Sequence, residues 1–176
     1  MTGRIIVQPF DRTRSRNTFE CGRRGIDQWY RNHSKKWSDR AEARITIAVD
    51  EDTNAVAGFH ALQIGSESMA ELENKPDDHT KNYTAFPALH LAYLGVQKEY
   101  QRKGVGTILL KDVIDKAYKV SLLAGLYALT LQSIDRQSTM FYESLGFEPY
   151  TRDNIAPKML IPIRTIIDLV EGGAGG

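Results

Sequence analysis

Apolar positions recur along this chain with two periods, and the periods divide it into strands and helices. Ile5 to Val7 is β-branched and closely followed by Pro9, which predicts a first strand. Arg12 to Cys21 is polar and predicts an irregular segment. From Gly25 to Arg40 the stripe Ile26, Trp29, Tyr30, His33 and Trp37 recurs at i, i+3, i+4, i+7 and i+11, one face of a helix. Arg44 to Val49 alternates, and Val56 to Ile64 follows it across the polar turn Glu51-Asp52-Thr53-Asn54, so a strand pair is expected. Gly58 inside the second strand predicts a bulge or a close backbone contact. Gly65 to Phe86 reads as a long acidic connection with a short helix at Met69 to Leu72. A loop of that length suits a site wall or a partner contact.

Leu89 to Val96 is an unbroken apolar run and predicts the central strand. Val105, Ile108, Leu109, Val113, Ala117 and Val120 predict a helix over Val105 to Ser121. Leu126 to Leu131 is then a strand reached through a helix, so it should run parallel to the central one. Asp135 is placed to cap a helix running to Leu145, and Gly146 fits its C′ position. Phe147 to Tyr150 and Met159 to Ile163 predict two closing strands, edged by Pro157 and Pro162. Ile166 to Val170 adds a short terminal element, and Glu171 to Gly176 reads as a flexible tail. With no repeat and no linker, residues 1–176 are expected to form a single α/β domain.

Composition narrows the class. A chain of 176 residues with 41% apolar and 26% charged residues can bury a core and is not of the disordered type. Met1 to Arg14 lacks the apolar run of a signal peptide, and no stretch approaches the ~20 apolar residues of a membrane span. The expectation is a cytoplasmic protein with no membrane association. Cys21 is the only cysteine, so no internal disulfide forms. His33, His60, His79 and His90 show no zinc spacing, and no metal is expected. The net charge of +1 hides an asymmetry. Arg12, Arg14, Arg16, Arg23, Arg24, Arg31, Lys35, Lys36, Arg40 and Arg44 face only Glu20, Asp27, Asp39 and Glu42 in the same stretch. A basic front of that kind either meets an anionic partner such as RNA or is a solvated helix face.

The chemistry concentrates at Gln101-Arg102-Lys103-Gly104-Val105-Gly106, between the central strand and the long helix. Strand, glycine turn and helix start form a phosphate cradle, because free amides and the positive helix end face an anion. Gly104 and Gly106 lack a Cβ and allow close approach. The Gly-x4-Gly-Lys-Ser/Thr of a P-loop is absent. A dinucleotide fingerprint fails too, because its third glycine position holds Leu109 and no carboxylate ends a second strand near Gly125. What remains is Gln/Arg-x-x-Gly-x-Gly/Ala, which resembles the pyrophosphate loop of the GNAT superfamily of acyl-CoA N-acyltransferases. An ordinary glycine turn before a core helix is the plain alternative. A second signature, Phe141-Tyr142-Glu143-Ser144-Leu145-Gly146-Phe147, is similar to the Phe-Tyr-x-x-x-Gly-Phe of the same superfamily.

The resemblance covers nearly the whole chain. It implies a mixed, mostly antiparallel sheet of six to seven strands flanked by helices, classed as α/β or α+β. The sheet would splay between the central strand and the next parallel strand to admit pantetheine. It implies acetyl-CoA as co-substrate and transfer of acetyl to a primary amine. Leu94, Gly95 and Val96 would then present backbone groups to the acetyl carbonyl and pantetheine. Gln101, Arg102, Lys103, Gly104, Val105, Gly106 and Thr107 would wrap the pyrophosphate, and Ser133 would join the cofactor-binding set. Tyr142 is the candidate general acid, within reach of the leaving thiolate; a buried tyrosine satisfying its own hydroxyl is the plain reading.

The N-terminal third narrows the resemblance. Phe19-Glu20-Cys21-Gly22, then Ile26-Asp27 and an aromatic helix, resemble the opening of GNAT toxins from bacterial toxin–antitoxin pairs; Phe86-Pro87 fits as well. That subfamily acetylates the α-amino group of aminoacyl-tRNA, stops translation and pairs with a ribbon-helix-helix antitoxin. Arg31, Lys35, Lys36 and Arg40 are then candidates for RNA contact, and exposed apolar edges could support a homodimer. Two stretches depart from the subfamily near the acceptor side. Tyr93-Leu94-Gly95-Val96 stands for Arg-Leu-Ala-Val, and Leu131-Gln132-Ser133 for Val-Asp-Ala. No carboxylate–histidine base is evident in the sequence. An α-amine, with a pKa of ~7.7–8.0, needs a base less than a lysine side chain at ~10.4. The alternatives are a small-molecule or peptide N-acetyltransferase and a non-enzymatic acyl-CoA sensor.

Overall fold

A computed structural model describes residues 3–72 and 84–173. The strands are β1 (Ile5–Pro9), β2 (Arg44–Asp50), β3 (Val56–Ser68), β4 (Ala85–Val96), β5 (Ala128–Gln132), β6 (Glu148–Pro149) and β7 (Lys158–Pro162). The helices are α1 (Arg24–Asn32), α2 (Ser34–Asp39), α3 (Val105–Ser121), α4 (Arg136–Ser144) and α5 (Ile163–Gly173). The strands form one seven-stranded sheet in the order β1-β2-β3-β4-β5-β7-β6. Pairings β1–β2, β2–β3, β5–β7 and β6–β7 are antiparallel, and β4–β5 is parallel, as a helical crossover requires. No helix among the described residues is long and apolar enough to cross a membrane.

Contacts divide the chain into two compact units, one of Met1–Gln63 with Ala92–Val113 and one of Ile64–Leu91 with Ile114–Gly176. In the first, alternation along β2 sends Ile45, Ile47 and Val49 to one face, where they bury with Phe59, Trp29 and Tyr30. Trp29 stacks on Tyr93 with ring centroids 4.2 Å apart. On the other face Ala48 and Ala57 pack with Val105 and Leu109 of α3. There His60 Nε2 lies 2.6 Å from Asp112 Oδ2 and ties α3 to β3.

In the second unit Met69, Phe86, Ala88, Ala128, Tyr150 and Leu160 form a cluster. Asp135 accepts from the Ser138 amide at 2.8 Å and caps α4, while Gly146 takes φ +95 just beyond its end. Both match the capping pattern read from the sequence.

Three expectations need correcting. The helix over Gly25–Arg40 is broken at His33, which is exposed rather than on a core stripe. Ser34 Oγ donates to the Tyr30 carbonyl, a local bond that competes with the helical amide and bends the chain. The connection proposed for Gly65–Phe86 is shorter than read, since β3 runs on to Ser68 and β4 starts at Ala85. Alternation continues through those polar residues, and sheet pairing outweighs their polarity. A 3-10 turn occupies Met69–Glu71, and the remainder of that connection, residues 73–83, lies outside the described residues. Finally, Glu171–Gly173 continue α5 instead of starting a tail; 174–176 lie outside the described residues. Ile163, Ile166, Ile167 and Val170 keep helical spacing, and Tyr118 donates to Glu171 at 3.3 Å.

Gly58 shows both features expected of it. The β2–β3 register slips between Ala48 and Val49, opposite Gly58 and Val56. A Cβ on Gly58 would also lie 2.8 Å from the Gly95 carbonyl oxygen.

Candidate functional site

The glycine turn expected to cradle a phosphate lies in the first unit. After β4 a 3-10 turn, Lys98–Tyr100, leads into the exposed stretch Gln101–Gly104 and then α3. Arg102 has φ +61 and Gly104 φ +84, so the backbone makes two left-handed steps before the helix. A Cβ on Gly104 would meet nothing within 4 Å; the glycine answers the backbone conformation, not crowding. Arg102 adopts that conformation without the excuse of a missing Cβ, at a cost of about 1–2 kcal/mol. The Ile108 amide bonds the Gly104 carbonyl at 3.1 Å, so the amides of Val105, Gly106 and Thr107 stand at the open helix end. Free amides, the helix dipole and the exposed Arg102 and Lys103 together favour a diphosphate there.

The loop is stitched to the N-terminal signature. Gln101 Nε2 donates to the Cys21 carbonyl at 2.7 Å and to the Val96 carbonyl at 3.0 Å. Its side chain is therefore a brace, leaving the backbone to face a ligand. The Glu20 amide donates to Gln97 Oε1 at 2.8 Å, and the Lys98 amide to the Glu20 carbonyl at 2.9 Å. Lys98 and Glu20 also form an exposed ion pair. The Cys21 amide donates to Asp27 Oδ1 at 2.7 Å, and Gly22 turns with φ +88. Burial, then the hydrogen bond to Asp27, pushes the Cys21 thiol up to about 12, which makes it unreactive. Thus Phe19-Glu20-Cys21-Gly22 and Asp27 hold the cradle in place.

Leu94 and Val96 are half-buried against Val105 and Leu109. Gly95 is buried, and a Cβ there would lie 2.9 Å from Ile26 Cγ2, 3.0 Å from Phe59 Cε1 and 3.3 Å from Phe19 Cζ. A methyl at position 95 would therefore press on Ile26 and Phe59. A cleft of about 460 Å³ adjoins this region, lined in part by Arg14, Thr18, Phe19, Tyr30, Gln97 and Tyr100. Its lining stops at Tyr100, one residue short of the loop.

Of the basic candidates, Arg31 gives its Nε to the Phe19 carbonyl at 2.7 Å, and Arg40 lies 3.7 Å from Glu42. Lys35 and Lys36 are exposed on α2.

The second unit holds Tyr142 and Ser133. Tyr142 is 9% exposed on α4, with Phe147 edge-on at 5.6 Å. Burial raises its phenol above the ordinary range, so the hydroxyl stays protonated at neutral pH. Ser133 is buried, and its hydroxyl donates to the Pro157 carbonyl at 3.1 Å and accepts from Thr139 Oγ1 at 2.8 Å. Those contacts brace the end of β5. The β4–β5 ladder spans Ala88–Leu91 with Ala128–Leu131, and β4 continues beyond it to Val96.

One group escaped the sequence reading. His90 and Glu67, 23 positions apart, come within 3.7 Å, with Thr130, Tyr150 and Lys158 around them. Only alternation extended through Glu67 could have signalled it, because Glu67 then falls on the same strand face as Gly65 and Gln63.

A model of the acetyltransferase (GNAT) family matches residues 11–147. A probable toxin TacT of Sinorhizobium fredii is 25% identical over 173 residues, covering 94% of each chain. A tRNA-acetylating toxin of Mycobacterium tuberculosis is 25% identical over 136 residues, 74% of this chain and 76% of the relative. A solved structure of AtaT complexed with acetyl-methionyl-tRNAfMet superposes with a TM-score of 0.83 at 20% identity, covering 95% of this chain and 99% of that one.

Proposed function

The chain belongs to the acetyltransferase (GNAT) family, and we propose that it moves acetyl from acetyl-CoA to the α-amino group of an aminoacyl-tRNA, acting as a translation-blocking toxin in the cytoplasm. The observation that carries the cofactor half is the cradle: two left-handed residues, Arg102 and Gly104, followed by the open amides of α3. The acceptor half is supported by the likeness to a tRNA-acetylating toxin and, over 94% of each chain, to a probable toxin.

The chemistry follows from the residues. Amides of Val105, Gly106 and Thr107 hold the diphosphate, with Arg102 and Lys103 adding charge. A backbone amide at Leu94 or Val96 stabilises the oxyanion that forms when the amine attacks the thioester carbonyl. As the C–N bond forms, the C–S bond breaks and the thiolate takes the Tyr142 proton. Lys35 and Lys36 contact acceptor-stem phosphates, with Arg31 and Arg40 flanking them. A ribbon-helix-helix antitoxin restrains the enzyme, and the chain pairs as a homodimer through apolar edges.

The test is direct. Incubated with acetyl-CoA and a full set of charged tRNAs at low salt, the protein should yield N-acetylated aminoacyl-adenosine from at least one isoacceptor, read by mass spectrometry after nuclease digestion. No such product from any isoacceptor, with turnover of a free amine or peptide instead, would replace the acceptor half of this reading.

A further inference from the structure

The cleft of about 460 Å³ belongs wholly to the first unit, and Arg14, Tyr30, Asn54 and Glu99 are among its lining residues. Its volume is that of a small-molecule site, well beyond what one ordered water fills. Tyr30 reaches it from α1. The ring is stacked on Phe59 at 4.3 Å, tilted against Phe19 at 4.7 Å and edge-on to Phe10 at 6.4 Å. Only 2% of Tyr30 is exposed, so this packing fixes where the hydroxyl stands. That hydroxyl has no hydrogen-bond partner among the described residues. A buried donor of this kind calls for an acceptor.

Two guanidinium groups bear on it. Burial pushes the Tyr30 phenol up to about 12, and the charges of Arg16 and Arg14 oppose that rise. The phenol keeps its proton at neutral pH and sits in a positive field. Arg14 gives Nη1 to the Asn54 carbonyl at 2.7 Å and Nη2 to Asn54 Oδ1 at 2.8 Å. Its Nε is 3.6 Å from Asp11 Oδ2, outside hydrogen-bond reach. Arg16 Nη1 donates only to carbonyls, those of Arg12 at 3.3 Å and Arg14 at 3.2 Å. Among the described residues no carboxylate pairs with Arg16. The Nε groups of Arg14 and Arg16 are both buried without an acceptor. Three donors without acceptors, beside a cation without a counter-charge, leave this end of the cleft short of negative charge.

We propose that this cleft binds a small phosphate monoester, with its phosphate at the Tyr30 hydroxyl in the field of Arg14 and Arg16 and its hydroxyl-bearing body toward Glu99. A phosphate suits the place better than a carboxylate. Its three terminal oxygens can meet the phenol, the guanidinium side and the exposed hydroxyls of Ser15 and Thr18, which also line the cleft. A bare ion would fill only a small part of the volume. Glu99 is exposed and has no salt bridge among the described residues, so its carboxylate is open to accept from ligand hydroxyls. The same charge repels a second phosphate and so selects a monoester over a diphosphate. The lining ends at Tyr100, before the Gln101–Gly106 loop, so this is a second site and does not depend on the acetyl-transfer reading.

The probes are inorganic phosphate and ribose 5-phosphate, titrated by NMR into the isotope-labelled full chain saturated with acetyl-CoA, which keeps the Gln101–Gly106 loop occupied. Backbone amides of residues 14–18 should shift saturably with both, and ribose 5-phosphate should bind about tenfold tighter than the bare ion. Tyr30→Phe removes the hydroxyl and keeps the ring packing; it should weaken ribose 5-phosphate about tenfold, and Arg16→Gln at least as much. Glu99→Ala should bring the two probes within about threefold of each other. Acetyl-CoA affinity should be unchanged in all three variants. No saturable shift at residues 14–18 up to about 10 mM probe, or shifts confined to residues 101–107, overturns the proposal. Equal affinity in wild type, Tyr30→Phe and Arg16→Gln overturns it too, and if Tyr30→Phe does not fold, Arg16→Gln decides. Acetate or dimethyl phosphate binding as tightly as ribose 5-phosphate would also refute it, the first by removing the need for phosphate and the second by pointing to a phosphodiester. A wild-type chain that takes no acetyl-CoA refutes the cofactor reading alone; the same titration of the unliganded chain, followed at residues 14–18, then decides this site.

Discussion

The Gln101–Gly106 loop of the first unit and the cluster around Glu67 and His90 in the second are both polar and are built by opposite means. The loop works through its backbone: left-handed Arg102 and Gly104 set the direction of amides that any side chain would carry. The cluster works through side chains delivered by β3, β4, β5 and β7, and by the residue after β6. A backbone site needs a short contiguous stretch and tolerates side-chain change. A side-chain site needs the topology and fails with one atom.

That contrast can be broken by substitution. The largest effect is expected at a side chain, Tyr142 on α4. Tyr142→Phe should cut the acetylation rate by about 100-fold or more while calorimetry shows acetyl-CoA affinity unchanged. An unchanged rate would remove Tyr142 from the chemistry.

Next comes the packing that backs β4. Gly95→Ala pushes a methyl against Ile26 and Phe59 and should cost about 1–3 kcal/mol in chemical denaturation. A neutral result would mean that the N-terminal signature does not press on the strand.

Gly104→Val should then reduce acetyl-CoA affinity about tenfold, because a β-branched residue resists φ +84. Gly104→Asn should lose less, since Asn visits that region more readily. Equal losses for both would point to the missing Cβ, not the backbone angle.

The smallest effect belongs to the exposed lysines. Lys35→Ala and Lys36→Ala should each leave stability within about 0.5 kcal/mol. Each should reduce the salt dependence of tRNA binding by roughly one phosphate contact.

The difference between the two sites also explains what could be read in advance. The turn between β4 and α3 was legible because glycine spacing, helix start and preceding strand are local features. The cap at Asp135 and the turn at Gly146 were legible for the same reason. The break at His33 was not, because the stripe ran through it and only the Ser34–Tyr30 bond reveals the bend. Gln101 illustrates an intermediate case. Its place in the loop was evident, yet its amide is spent on Cys21 and Val96, a contact 80 residues away that no motif encodes. Ser133 is alike, with its hydroxyl committed to Pro157 and Thr139. His90 and Glu67 were hidden most completely. Their meeting depends on β3 extending through a polar run that reads as loop.

Titration of the full-length protein with acetyl-CoA by isothermal calorimetry tests the central claim most directly. Amides at the start of α3 holding a diphosphate predict saturable one-site binding that coenzyme A competes away and that weakens in Gly104→Val. No detectable binding, or equal binding by Gly104→Val and wild type, would contradict it.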